Sequence, residues 1–248
     1  MLTLLLLLPG CLYLRLLELK KQLAAFDDYV VVREEGDLVL TFREPVLLEQ
    51  DLHALFEPPT SVAATPDGRR LTYLYQKCHP DGKVEEGNYD IPLIFVCREG
   101  RFVESRIPQR FLAVFDRSFL IGALRSMGRA QVDIGKRTAT GQMEDGDGMT
   151  VALPTQETLT GKLGRPYERS ETEETTTLTW RYAFKPASGD FDPTRPTEYA
   201  SFTFRCADGS FQASDVQFAG IKGRFHSPAG VTQPTTSPTL QTVGADQR

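Results

Sequence analysis

The sequence predicts an α+β fold of two tandem repeats, each with helices packed on one face of an antiparallel β meander. Two observations predict it. Blocks of sequence return in the same order at a nearly fixed offset, and within each copy the hydrophobic period switches from helical spacing to strand alternation. LTYLY (71–75) returns as LTWRY (178–182), and CREGRFVES (97–105) returns as CADGSFQAS (206–214), with Cys, acid-Gly, Phe and Ser in common. ALFEPPT (54–60) answers KLGRPYE (162–168), aligning Leu55 with Leu163 and Pro58 with Pro166, and LTFREP (40–45) sits opposite MTVALP (149–154). The offset drifts only between 107 and 109. This pattern divides the chain into a leading segment 1–11, a first unit 12–109, a second unit 110–225 and a tail 226–248.

Residues 2–8 are an apolar run of secretory-signal length, well short of the roughly 20 residues a membrane span needs. The four residues Leu8-Pro9-Gly10-Cys11 at its end resemble the lipobox at which bacterial lipoprotein signal peptidase cuts. That resemblance implies Cys11 as a lipidated N-terminus. The competing reading is a single amphipathic helix over 2–25, which Pro9-Gly10 would interrupt by removing helix hydrogen bonds.

The first unit opens on RLLELKKQLAAF, where Leu16, Leu19, Leu23 and Phe26 recur at three- and four-residue spacing, an amphipathic helix. YVVVREEGDLVLTF then has two β-rich runs around E-E-G-D, a hairpin signal. A short helix over LLEQDLHALF and a run of strands follow. The second unit repeats this order. FLAVFDRSFLIGALRSM places Phe115, Phe119, Ala123 and Met127 at helical spacing, and TQETLTGKL is a short helix with Thr155 as its N-cap. Gly164 stands where that helix needs a left-handed residue, with Pro166 just beyond. Alternation in ASFTFRC sets Phe202, Phe204 and Cys206 against Ser201, Thr203 and Arg205 on the other face. R-E-G-R and A-D-G-S read as hairpin turns in which Gly100 and Gly209 supply positive φ. The tail is rich in Pro, Thr, Ser and Gln with almost no large apolar residue, which predicts disorder.

The composition, 40% apolar and 25% charged, is that of an ordinary folded protein. A net charge of -5, without a Lys/Arg run interleaved with aromatics, argues against nucleic acid as a partner. The four cysteines (Cys11, Cys78, Cys97, Cys206) and three histidines form no zinc spacing, and the adjacent pair Cys78-His79 is short of a ligand set, so no metal is expected. A Cys78–Cys97 disulfide requires the intervening loop to fold back; Cys97 and Cys206 read as buried free thiols on equivalent strands. The acidic clusters Glu85-Glu86, Asp145–Gly148 and Glu171–Glu174 fall in turn-rich segments and read as solvated loop charge. No nucleophile elbow, phosphate loop or H-E-x-x-H occurs, so neither catalytic residues nor a cofactor site is expected. Tyr73, Tyr75, Trp180 and Tyr182 alternate along strands and read as core.

Residues 150–218, with P-T-Q-E-T-L-T-G-K-L-G-R-P-Y-E, L-T-W-R-Y, a strand F-T-F and a D-G turn, resemble the SmpA/OmlA-type domain. That domain occurs in the small lipoprotein subunit of the bacterial outer-membrane β-barrel assembly machine and is related to β-lactamase-inhibitor-protein-like modules. The first unit is a divergent copy, with Phe56 for the Gly and Tyr73 for the Trp. The resemblance implies a non-enzymatic envelope lipoprotein, anchored in the outer membrane through acyl chains (palmitate among them) on Cys11 and facing the periplasm. Its implied partners are the bilayer and another envelope protein. The alternative is a soluble ligand-binding protein with a groove between the two units.

Overall fold

The computed structural model describes residues 12–81, 83–85, 89–112, 117–133, 138–140, 154–189, 199–218 and 221–226. The leading segment with Cys11, Glu86, Phe115, the acidic run 145–148, most of the block MTVALP, and the tail from residue 227 lie outside these.

The chain begins with α1 (Leu12–Ala24) and α2 (Phe26–Tyr29), followed by the hairpin β1 (Val30–Glu35) and β2 (Asp37–Phe42). Next come α3 (Glu49–Leu55), β3 (Ser61–Thr65), β4 (Gly68–Cys78), β5 (Val84–Glu85), β6 (Ile91–Arg98) and β7 (Arg101–Ile107). Then α4 (Gln109–Leu112), α5 (Arg117–Arg129), β8 (Gln131–Asp133) and β9 (Thr138–Thr140) lead to α6 (Gln156–Leu163). The remainder is β10 (Glu168–Glu171), β11 (Thr176–Phe184), β12 (Tyr199–Ala207), β13 (Ser210–Phe218) and β14 (Ile221–His226). The fold is mixed α+β and dominated by one sheet of order β1-β2-β7-β6-β4-β11-β12-β13-β14-β9-β8, with β3 and β5 flanking β4 and β10 flanking β11. Its pairings are antiparallel except β14 with β9. Strands β4 and β11 meet edge to edge at Tyr182↔Lys77, Ala183↔Gln76 and Phe184↔Tyr75, so the sheet runs unbroken from first half to second.

Alternation decides which face is core. Leu71, Tyr73 and Tyr75 on β4, and Leu178, Trp180, Tyr182 and Phe184 on β11, are all buried and belong to one cluster with Phe95, Phe204 and Phe211. Burying such side chains contributes about 1.5–3 kcal/mol each, and this burial is the main force holding helices to sheet.

The hairpins β6–β7 and β12–β13 are built alike. In each, two central residues have positive φ: Glu99 (49°) with Gly100 (73°), and Asp208 (50°) with Gly209 (75°). That is the type I′ turn whose twist suits a two-residue hairpin. Each has a bulge beside the turn, pairing Cys97 with Phe102 and Cys206 with Phe211. The bulge returns the Phe to the core face and sends Glu104, like Asp215, to the other. Each hairpin also receives a helix start: Glu49 N–H donates to Gly100 O at 2.9 Å and Gln156 N–H to Gly209 O at 3.1 Å.

The ends of the short helices differ. Thr155 caps α6 by accepting from Thr158 N–H. Leu48 cannot cap α3; instead Asp51 accepts from Leu48 N–H at 2.8 Å and is gripped by Arg15 of α1 at 2.6 and 2.5 Å. Gly164 ends α6 with φ 70° but ψ -162°, so the positive φ is as expected while the backbone is extended rather than left-handed helical. A Cβ there would sit 2.7 Å from Lys77 Nζ and the Tyr89 ring, and Gly164 O accepts from Trp180 Nε1 at 3.0 Å. At the aligned positions of the first half, Phe56 and Tyr73 instead pack ring on ring at 5.3 Å.

Helix α5, expected to open a second unit, packs against α1 rather than over the second half. Their approach is close because Gly128 lacks a side chain: a Cβ would lie 2.1 Å from Ala24 N. Leu120, Ile121 and Leu124 of α5 join Phe26, Val30, Leu38 and Leu40 in a second cluster above β1 and β2.

Candidate functional site

Cys11, the expected lipid-attachment residue, lies outside the described residues, but α1 begins immediately after it. That helix buries Leu16 and Leu19 against the core and leaves Tyr13 (44% exposed), Leu14 (59%) and Leu17 (37%) in solvent. Those three make up most of the large apolar side chains exposed among the described residues, the others being Val62 and Val84. Spacing of one and four residues puts them on one stripe over the first two turns. No described helix is long and apolar enough to cross a membrane.

The second surface is the sheet face opposite the core, over β10 to β14. Pairing aligns Thr179, Thr203, Asp215 and Arg224 in one row across four strands, and Arg181, Ser201, Gln217 and Lys222 in the next. Arg181 lies half-buried between two tyrosines. The Tyr167 centroid is 5.8 Å from its guanidinium carbon on one side of β11 and the Tyr199 centroid 5.1 Å on the other. The Tyr167 backbone is tied to β11, its N–H donating to Thr179 O at 2.8 Å, and the Tyr199 hydroxyl accepts from Gln217 Nε2 at 2.6 Å. No carboxylate is paired with Arg181 among the described residues, whereas Arg205 and Arg224 share Asp215. Cation–π contact of this kind offsets part of the guanidinium's lost hydration but supplies no hydrogen-bond acceptor for its N–H groups.

Sequence reading did not single out Arg181, Tyr167 or Tyr199. The signal existed in part: alternation of L-T-W-R-Y opposes Arg181 to Trp180 and Tyr182, but which strands would flank it depends on pairing. Tyr73, Tyr75, Trp180 and Tyr182, read as core from their alternation, are buried.

Cys78, Cys97 and Cys206 are buried free thiols, and Cys78 and Cys97 are not joined. They occupy opposite ends of the β4–β6 pair, since Cys97 faces Arg69 while Cys78 ends β4. Burial pushes the Cys97 thiol up to about 11, with Glu49 adding to the shift and Arg69 opposing it. Burial also raises Cys206 and Cys78, the latter drawn partly back by the Arg181 charge and the Ala183 backbone. Thiols held protonated in this way are poor nucleophiles.

Open clefts are found among the described residues. One, of about 650 Å³, lies at the start of α6 beside Gly209 and Arg169; another, of about 500 Å³, lies between β1 and α5 beside Arg43, Arg117 and Arg125. The buried groups with shifted pKa, Asp51, Tyr73, Tyr75 and the three thiols, lie outside both. Among the described residues no three His, Cys, Asp or Glu side chains converge as a metal site. Compared with known proteins, the chain matches no family model, no curated protein and no solved structure.

Proposed function

We propose that the chain is a non-enzymatic, lipid-anchored protein of the bacterial cell envelope that binds another envelope protein. In this reading it is built from two tandem SmpA/OmlA-like units, 12–109 and 110–225. It is held at the outer membrane, facing the periplasm, through acyl chains on Cys11. The observation that carries the anchor is the exposed stripe of Tyr13, Leu14 and Leu17, which starts two residues after Cys11 on a helix otherwise packed on the body. Acyl chains on Cys11 would enter a bilayer one residue from α1, and the stripe would then rest on its interface rather than in water. Each buried methylene contributes about 0.8 kcal/mol, so several chains suffice for stable attachment.

The duplication is supported by the matched turns, bulges and helix joints of the two hairpins and by the burial of both Phe102 and Phe211. Two departures belong to it. Helix α5 has crossed to α1, and β14 separates β13 from the β8–β9 hairpin, whereas β7 pairs directly with β2.

Intact mass of the mature chain tests the anchor. A diacyl or triacyl adduct on Cys11 is expected, and globomycin or Cys11→Ala should move the protein off the membrane fraction. Unchanged size and fractionation after both would sink the reading.

A further inference from the structure

We infer that the tyrosine-bracketed Arg181 is the receiving end of an interface for an acidic peptide segment, which lies on the β10–β14 face with one carboxylate in the Arg181 fork. The inference rests on the reading of the chain as a protein-binding module and names the chemistry of its partner.

Three observations carry it. The first is the state of Arg181 itself. A half-buried guanidinium loses hydration, and proteins offset that loss with a carboxylate or a set of acceptors. Here the two tyrosine rings supply only cation–π contact, and no carboxylate is paired with the guanidinium among the described residues. A planar guanidinium fork matches a carboxylate edge-on and bidentate. The second is the charge of the face. Strand pairing places Arg181, Arg205, Lys222 and Arg224 on it against Asp215 and Glu168, a surplus of cations in a chain whose net charge is -5. A positive patch on an acidic protein steers acidic partners and repels copies of itself. The third is composition. Tyr and Arg are the side chains that most often anchor protein interfaces, because they present rigid area and directed hydrogen bonds together. Thr179 and Thr203, 3.1 Å apart between hydroxyls, and Gln217 supply a polar surround.

The test uses the full chain carrying Cys11→Ala, so that its outcome is independent of anchoring. Binding of an oligoglutamate peptide is followed by isothermal titration and by amide shifts, with an oligoserine peptide of equal length as control. The expected result is saturable binding of the acidic peptide alone, weakened by salt, with shifts centred on Tyr167, Arg181 and Tyr199. Arg181→Gln should weaken it at least about tenfold, and Arg181→Lys nearly as much because an ammonium cannot form the fork. Asp215→Asn, which releases Arg205 and Arg224, should strengthen it, and this variant leaves Arg181 and its brackets in place. Absence of saturable binding, or equal affinity in wild type and Arg181→Gln, overturns the inference. So does binding to phosphatidylglycerol vesicles with the same dependence on Arg181 and none to the peptide, which would assign the face to lipid headgroups. Each of these failures would leave the intact-mass test of Cys11 unaffected.

Discussion

On the first half of the sheet, the face opposite the core is closed by its own charges. Glu104, almost fully buried, accepts from Arg106 at 2.9 Å and meets Arg33 at 3.4 Å, while Glu35 lies 3.3 Å from Arg33 and 3.9 Å from Arg106. On the second half, Asp215 pairs with both Arg205 and Arg224, but Arg181 has rings where the first half has carboxylates. The hairpins beneath are matched turn for turn. The contrast separates what the fold demands from what it leaves free. Turn, bulge and core Phe recur because the backbone path needs them. The outward side chains differ because nothing in that path constrains them, so they are where function can be sought.

The largest effects should come from the matched parts. Phe102→Ala and Phe211→Ala each remove a buried ring from the same core cluster, and each should cost about 3–5 kcal/mol in denaturant unfolding. A loss at one site only, with the other within error of wild type, would break the equivalence of the two hairpins.

The two helix starts sharpen the contrast. Asp51→Ala strips α3 of its capping oxygen and removes the buried carboxylate that Arg15 grips, so a loss of about 3 kcal/mol is expected. Thr155→Ala removes one hydroxyl from α6 and should cost about 1 kcal/mol. The pH dependence differs too. Burial would raise the Asp51 pKa, but hydrogen bonds from Arg15 and Leu48 and the Arg15 charge outweigh it and hold the carboxyl below its usual 3.8. A depressed carboxyl contributes stability that is present above its unfolded pKa and lost as pH falls through the folded one. Acid unfolding curves taken below pH 4 should therefore lose a component in Asp51→Asn and none in Thr155→Ala. Equal acid sensitivity in both variants would discount the Arg15 grip.

A third pair probes backbone alone. A Cβ at Gly100 or at Gly209 would meet nothing within 4 Å, yet φ is 73° and 75°. Alanine at either site should cost about 1 kcal/mol from the left-handed conformation, with no difference in packing to separate them. A difference beyond error between the two would point to unequal turns.

Local features were readable in sequence because their causes are local. Thr155 three residues before a free helix N–H, Gly after an acid between two strands, and Phe beyond that Gly fix cap, turn and core side without knowledge of the rest. Alternation likewise told which face Trp180 and Tyr182 would bury. It could not tell which strand lies beside which. The β4–β11 seam, the transfer of α5 onto α1 through Gly128, and the two tyrosines meeting at Arg181 all depend on contacts between distant segments. Residues 167, 181 and 199 become one site only when β10, β11 and β12 are neighbours. At Gly164 the sequence implied a left-handed helix-ending glycine; the observed φ is positive but ψ is extended, and the carbonyl accepts from Trp180 on a distant strand, a contact local sequence cannot announce.

The smallest expected difference lies between the aligned thiols. Both are buried and both are raised, but Cys97 has Glu49 beside it and reaches about 11, while for Cys206 burial is the only cause. A thiol whose folded pKa exceeds its unfolded value contributes stability that is complete below the unfolded pKa of 9.0 and is lost as pH rises through the folded one. Tyr73 and Tyr75, raised by burial, act in the same direction at higher pH and are common to every variant. Urea midpoints at pH 8, 9 and 10 should thus fall with pH in the wild-type chain. The fall should be shallower in Cys97→Ala and, by a smaller margin, in Cys206→Ala, after subtracting each variant's loss at pH 8. If Cys206→Ala flattened the profile more than Cys97→Ala, the Glu49 charge would not be what distinguishes the two sites, and packing alone would have to account for both.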